Sequence, residues 1–192
     1  MRLASNTISN VKSSFLSCEK DAEIIIRKLL VDTGSDSAKL KKLLVINTKD
    51  CLENNSNYDT IVKNTSIGEL IEKQYITLVP KLKFEEHEEV RSRIIISFDN
   101  FVPNGTNPEF RDCVVSFDII CHTDYWDLGN YMLRPLKIAG YIDGILNNSK
   151  LTGIGTFQFM GCNELILNEE LAGYTLMFSA IHGSDDIIAP EE

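Results

Sequence analysis

The alternation of apolar and polar positions is clearest between Arg111 and Asn148. Val115, Phe117, Ile119 and Cys121 alternate with Ser116, Asp118, Ile120 and His122. A period of two predicts a strand with one face buried. Past Asp127-Leu128-Gly129-Asn130 the period lengthens. Leu136, Ala139, Ile142 and Leu146, with Ile138 and Ile145 beside them, fall on one side of a helix predicted over 128–148. Pro135 belongs in its first turn, where a missing N–H costs nothing. Gly140 and Gly144, four apart, share one side and are expected to let the helix lie close against a sheet.

The same test applied from the start gives no period over residues 1–16, which are rich in Ser and Asn and read as an arm. Residues 17–74 read as a helical segment. Ala22, Ile25, Ile26, Leu29 and Leu30 form a stripe that ends before Gly34. Asp36 is placed to cap a second helix over 37–47, carrying Leu40, Leu43 and Leu44. Residues 48–65 are polar and predict a loop, centred on Asn54 to Asn57. Ser66 and Glu69 match a capping box ahead of Leu70 and Ile71, a short helix ending near Gln74.

From Tyr75 the pattern turns to strands, and residues 75–183 read as one α+β core. Ile76 to Pro80 is β-like and Leu82 and Phe84 continue it. Glu85 to Glu89 is a charged turn. Val90 to Phe98 is a strand with Ile94, Ile96 and Phe98 on one face. Phe101 to Pro108 carries strong turn signals. After the opening strand and helix come strands at 152–162 and 173–182, with 163–172 between them, and a short acidic tail over 184–192. The order is helices, then β-β-β-α-β-β, an α+β layout with a largely antiparallel sheet.

Charge adds an asymmetry. Net charge is −9. Residues 1–50 hold nine Lys/Arg against six Asp/Glu, a net of +3, and the rest ten against 22, a net of −12. An acidic body argues against gripping nucleic acid, which needs clustered cations. The basic segment suits docking on an acidic neighbour, including another copy of the chain. No apolar run reaches the roughly 18 residues of a membrane span, and the first ten residues lack a signal-peptide core. A soluble protein made in a cytoplasm is expected, with no membrane partner. Five scattered cysteines without a CxxC pair are expected to stay reduced.

Candidate chemistry is sparse. Asp118, His122 and Asp124 form D-x3-H-x-D, which suits a metal or hydrolytic centre or, more simply, the polar face of a strand. No second group with ligand spacing accompanies it. The acids around His87 suit a solvated turn or a subunit contact. Gly153-Ile154-Gly155 lacks the spacing of a phosphate loop. Tyr125 and Trp126, at the strand–helix junction, either plug the core or anchor a subunit contact. The expectation is no enzyme, no catalytic residue, no metal and no cofactor. The rivals are a metal-assisted hydrolase on Asp118, His122 and Asp124, and a monomeric adaptor.

The element order resembles that of tail-terminator and tail-completion proteins of tailed bacteriophages. Three passages resemble a neck ring protein of crAss-like phages: Ile94 to Phe101 with Thr106 to Asp112, Asp118 to Asp127 with Leu133 to Asn147, and Asn163 to Tyr174. The likeness covers roughly 76–186. It implies a virion structural protein between portal and tail, made in the host cytoplasm. It implies closed rings of six or twelve copies of the chain, stacked on portal, adaptor or tail proteins. DNA would pass through the channel without specific binding. Contact candidates are Phe101, Tyr125 and Trp126, with the acids Glu85, Glu86, Glu88 and Glu89.

Overall fold

The computed structural model describes residues 18–31, 34–78, 92–105, 111–151 and 155–182. Four helices come first: α1 (Cys18–Leu30), α2 (Ser35–Val45), α3 (Ser56–Asn64) and α4 (Ile67–Glu72). Then follow β1 (Ile76–Thr77), β2 (Arg93–Pro103), β3 (Arg111–His122), a 3-10 turn at Thr123–Tyr125 and helix α5 (Arg134–Leu146). The chain closes with β4 (Lys150–Leu151), β5 (Gly155–Thr156), β6 (Gln158–Ile166) and β7 (Leu171–His182). The architecture is α+β, as the pattern predicts.

Five strands form one sheet in the order β1-β2-β3-β7-β6, and β4 pairs only with β5. All pairings are antiparallel except β1 on β2. On one face Ile94, Ile96, Val115, Phe117, Ile119, Leu176 and Phe178 meet the buried stripes of α1, α2 and α5. The rings of Phe117 and Phe157 meet Phe178 edge to face, with centroids 5.8 and 5.9 Å away. The opposite face carries a smaller cluster of Ile95, Ile120 and Leu171 with Leu165. Gly173 sits where β7 crosses β3, and a Cβ there would lie 1.7 Å from the Ile119 carbonyl oxygen.

Several boundaries differ from the pattern. Helix α2 starts at Ser35, with Gly34 rather than Asp36 at its N-cap. Asp36 lies inside the first turn, where a carboxylate meets the positive end of the helix. The expected loop over 48–65 contains α3, capped by the Asn55 side chain, which accepts from Asn57 N–H at 2.9 Å. Only Val62 of this helix is buried, so no stripe marks it. Polar ties hold it instead: Lys42 pairs with Asp59 at 2.7 Å, and the Tyr58 hydroxyl donates to Asp50 at 3.1 Å. The capping box at Ser66 is present, with Glu69 N–H donating to Ser66 Oγ at 3.1 Å.

Strand β2 runs on to Pro103, past a bulge between Asp99 and Val102, although a loop is expected from Phe101. Asn100 takes φ 52° there, the left-handed conformation that asparagine tolerates. Strand β6 continues to Ile166 rather than ending at Cys162, with Asn163 opposite Thr175 and Glu164 opposite Tyr174. An edge strand exposes both its faces, so polar residues do not end it. The expected strand from Thr152 is divided between the β4–β5 pair and β6. The β-like run at 79–84, the Glu85–Glu89 turn, the tail and the N-terminal arm lie outside the described residues.

Helix α5 begins at Arg134, with Pro135 in its first turn, and buries the expected stripe except Leu136. Arg134, Pro135, Ile138, Ala139, Ile142 and Leu146 are buried, while Leu136 is exposed. Gly140 and Gly144 are exposed and nothing lies within 4 Å of a Cβ placed on either. They do not mediate close packing on the sheet. Arg134 ties the start of the helix to α2 and to the 3-10 turn. Its guanidinium donates to the carbonyl oxygens of Leu43 (2.7 Å), Ile46 and Thr48 (both 2.8 Å), and its Nε to Tyr125 (2.8 Å). The cation thus leaves the positive end of its own helix and satisfies carbonyls at and beyond the C-terminal end of α2.

Candidate subunit-contact surfaces

The D-x3-H-x-D residues come together only in part: His122 Nδ1 lies 3.5 Å from Asp124 Oδ2, while Asp118 stands apart. Asp118 and His122 do share a face of β3, yet they stand four positions apart, about 13 Å along the strand. Ile120 lies buried between them. Asp118 accepts from Thr175 Oγ1 at 2.6 Å. His122 caps the 3-10 turn, its Nδ1 accepting from Asp124 N–H at 3.2 Å, and its Nε2 lies 3.9 Å from Glu170. Each group therefore has a local structural partner. Among the described residues no three His, Cys, Asp or Glu side chains are placed to hold a metal ion.

Trp126 is half-buried against the core. Its Nε1 donates to the Cys121 carbonyl at 3.3 Å and its ring lies 6.4 Å from that of Tyr174. Tyr125 beside it is half-buried and meets His122 ring to ring at 6.0 Å. Phe101 is also half-buried, in an open cleft of about 560 Å³ lined with Leu78, Ile96, Phe98 and Glu19. The three aromatic candidates thus fall at two separate places. Glu85, Glu86, Glu88 and Glu89 lie outside the described residues.

The structure adds two features that the pattern did not single out. Tyr131 is fully exposed, at 105%, on a turn closed by the Asp127–Leu133 bridge. Asp127 accepts from Gly129 N–H at 2.8 Å, and Met132 N–H donates to the Gly129 carbonyl at 2.9 Å. Asn130 and Tyr131 both take left-handed backbone, φ 51° and 62°, a conformation costing about 1–2 kcal/mol for a residue with a Cβ. Gly129-Asn130 was a legible turn signal, but not the projection of the next side chain.

The second feature is the rim made by β6. Phe159, Met160 and Ile166 are 49%, 56% and 67% exposed, and Leu167 follows them into solvent. Among the described strands β6 ends the sheet, paired with β7 alone, and it bulges between Phe159 and Gly161. Phe159 also reaches inward to Phe178, 6.3 Å away, so the rim is continuous with the core. The pattern hid it because apolar residues in a strand ordinarily point to a core.

The cysteines are unpaired, as expected. Burial pushes the thiol of Cys113 up to about 12 and that of Cys121 up to about 11. Cys162 on β6 is the exposed one. Among the described residues no helix is long and apolar enough to cross a membrane.

Fold and surfaces together define an α+β protein, a mostly antiparallel five-stranded sheet backed by helices on one face. A family model described as YomW matches residues 37–180, three quarters of the chain and nearly all of that sheet, so the chain belongs to the YomW family. Membership suggests a phage protein. No curated protein and no solved structure matches the chain.

Proposed function

We propose that the chain is a structural virion subunit that forms a closed ring in the phage neck, between portal and tail and around the DNA channel. The observation that carries this reading is membership of a phage-associated family over residues 37–180. The exposed apolar side chains at both ends of β6 and the projecting Tyr131 support it, because apolar side chains left in solvent are available for protein–protein contact. The partners are further copies of the chain, six or twelve to a ring, with portal or adaptor on one side and tail proteins on the other. The chain works by assembly, without catalysis or cofactor. The sheet and α5 form a rigid wedge. Phe101, Tyr125 and Trp126 join Tyr131 as contact candidates.

Electron microscopy of the full chain mixed with purified portal and adaptor of the same virion tests the reading. A ring stacked on the portal supports it, and counting gives the copy number. A chain that stays monomeric in that mixture overturns it and favours an adaptor acting as a monomer. Acidic side chains facing the channel would repel phosphate and let DNA slide. Replacing Glu85, Glu86, Glu88 and Glu89 together by lysine should then slow DNA ejection. Unchanged ejection would place that turn outside the channel.

A further inference from the structure

We propose that copies of this chain associate head to tail, the β6 rim of one seated in the groove between α1, α2 and α3 of the next. The contact deepens the ring reading and rests on it only for closure into a ring.

Among the described residues no strand covers the outer edge of this rim. Sheet edges are ordinarily blunted by lysine, proline, bulges or a covering element. β6 has one bulge, at Met160, and neither lysine nor proline. Its surface is apolar and of one charge. Residues 151–182 contain no Lys or Arg, and Glu164, Glu169 and Glu170 are all exposed. Two such rims meeting each other would oppose like charges with no cation to compensate. A fitting partner is therefore basic and apolar.

The same chain carries such a surface. A groove of about 250 Å³ lies between α1, α2 and α3, with Leu30, Ala38 and Val62 in its lining and Lys41 and Lys63 beside them. Ile61 and Val31, next in sequence to lining residues, are exposed. Lys42 also lines the groove, but its charge is taken by Asp59 at 2.7 Å. Lys41 donates to the Thr65 carbonyl, and burial lowers its pKa, with Glu69 acting the other way. Lys63, exposed, adds a positive charge on the α3 side of the groove. Groove and rim are built from different elements of the fold. Helix α4 carries the chain from α3 to β1, the other end of the sheet order from β6. Two different, complementary patches on one chain make a heterologous contact, the kind that closes into rings when its rotation permits.

Sedimentation equilibrium of the full chain tests this, up to about 1 mM, where even a weak contact half-saturates. Wild type should associate, and less so as salt rises. Glu164→Lys/Glu169→Lys and, separately, Lys41→Glu/Lys63→Glu should each weaken association about tenfold or more. Mixing the two variants should restore it, because each rim then meets an opposite groove. Ile166→Asp should weaken it without rescue in any mixture. A wild type monomeric at every concentration overturns the proposal, as does charge reversal without effect or loss that mixing does not rescue. Rings on the portal that persist with Glu164→Lys/Glu169→Lys would overturn this contact and leave the neck reading intact. Charge-swap rescue without any ring on the portal would do the reverse.

Discussion

Arg134 is the residue on which the helical layer depends. It is fully buried, and four carbonyl oxygens from the α2 end and the 3-10 turn receive its guanidinium. A buried acceptor left without a partner costs about 1–3 kcal/mol. Arg134→Ala should therefore lower stability by about 3 kcal/mol or more, read as the urea midpoint. Arg134→Lys should recover only part, since a compact ammonium cannot span the same fork. A small effect of the alanine variant would mean that water replaces the side chain. The sequence held one hint, a cation in the first turn of its own helix, where the dipole disfavours it. The buried thiols make a second prediction. Unfolded, Cys113 and Cys121 ionise near the ordinary value of 9.0; folded, they do so only near 12 and 11. Below pH 9 neither state loses these protons, so their contribution is constant. Above it the unfolded chain ionises first and stability falls. At pH 10 the loss is about 1 kcal/mol per thiol. Urea midpoints at pH 8 and 10 should differ less in Cys113→Ala/Cys121→Ala than in wild type.

At the scale of elements, glycines on two neighbouring parts of the core have opposite roles. Gly140 and Gly144 face solvent on α5 with open space at the Cβ position. Replacing each by alanine should raise stability by about 0.5–1 kcal/mol through helix propensity alone. Gly173 is the reverse case. A methyl group there collides with the β3 backbone, so Gly173→Ala should cost on the order of 3 kcal/mol. Thermal melts of the three variants would order them, and a Gly173→Ala protein as stable as wild type would show that β3 and β7 can separate at little cost. The pattern revealed β3 and the sheet-facing half of β2, because burial on one face imposes a period of two. It revealed α1 and the capped start of α4 for similar reasons. It missed α3, which buries one apolar side chain and is held by Lys42, Asp59 and Tyr58. It also missed Arg134 as a buried member of α5, bonded to Leu43, 91 residues away.

For the whole molecule the question is what covers its apolar surface. Tyr131 projects from a turn braced by the Lys49–Asp127 pair at 2.6 Å. Its left-handed backbone suits glycine better than tyrosine. Tyr131→Gly relieves that strain but loosens the unfolded chain, so stability should stay within about 1 kcal/mol of wild type. Assembly on the portal should nevertheless weaken if the side chain is an anchor. Equal ring yield with the glycine variant, counted on micrographs, would remove Tyr131 from the contact set. The same counts on β6 and groove variants separate contacts within a ring from contacts between rings. Sites on β6 were only half legible: the strand was expected, but not its place at the edge.

Residue order alone settled the α+β class, the succession of most elements and the buried faces of α1 and β3. Local periodicity and capping chemistry follow from neighbours within a few residues. It also determined the acidic balance of the body and the reduced state expected of its thiols. The folded arrangement was needed to show that β7 inserts between β3 and β6, leaving β6 at the rim with Phe159, Met160 and Ile166 in solvent. It alone separated Asp118 from His122, turned the glycines of α5 outward and joined Arg134 to α2. Each of these depends on strand order or on partners distant in the chain, and side-chain periodicity carries neither.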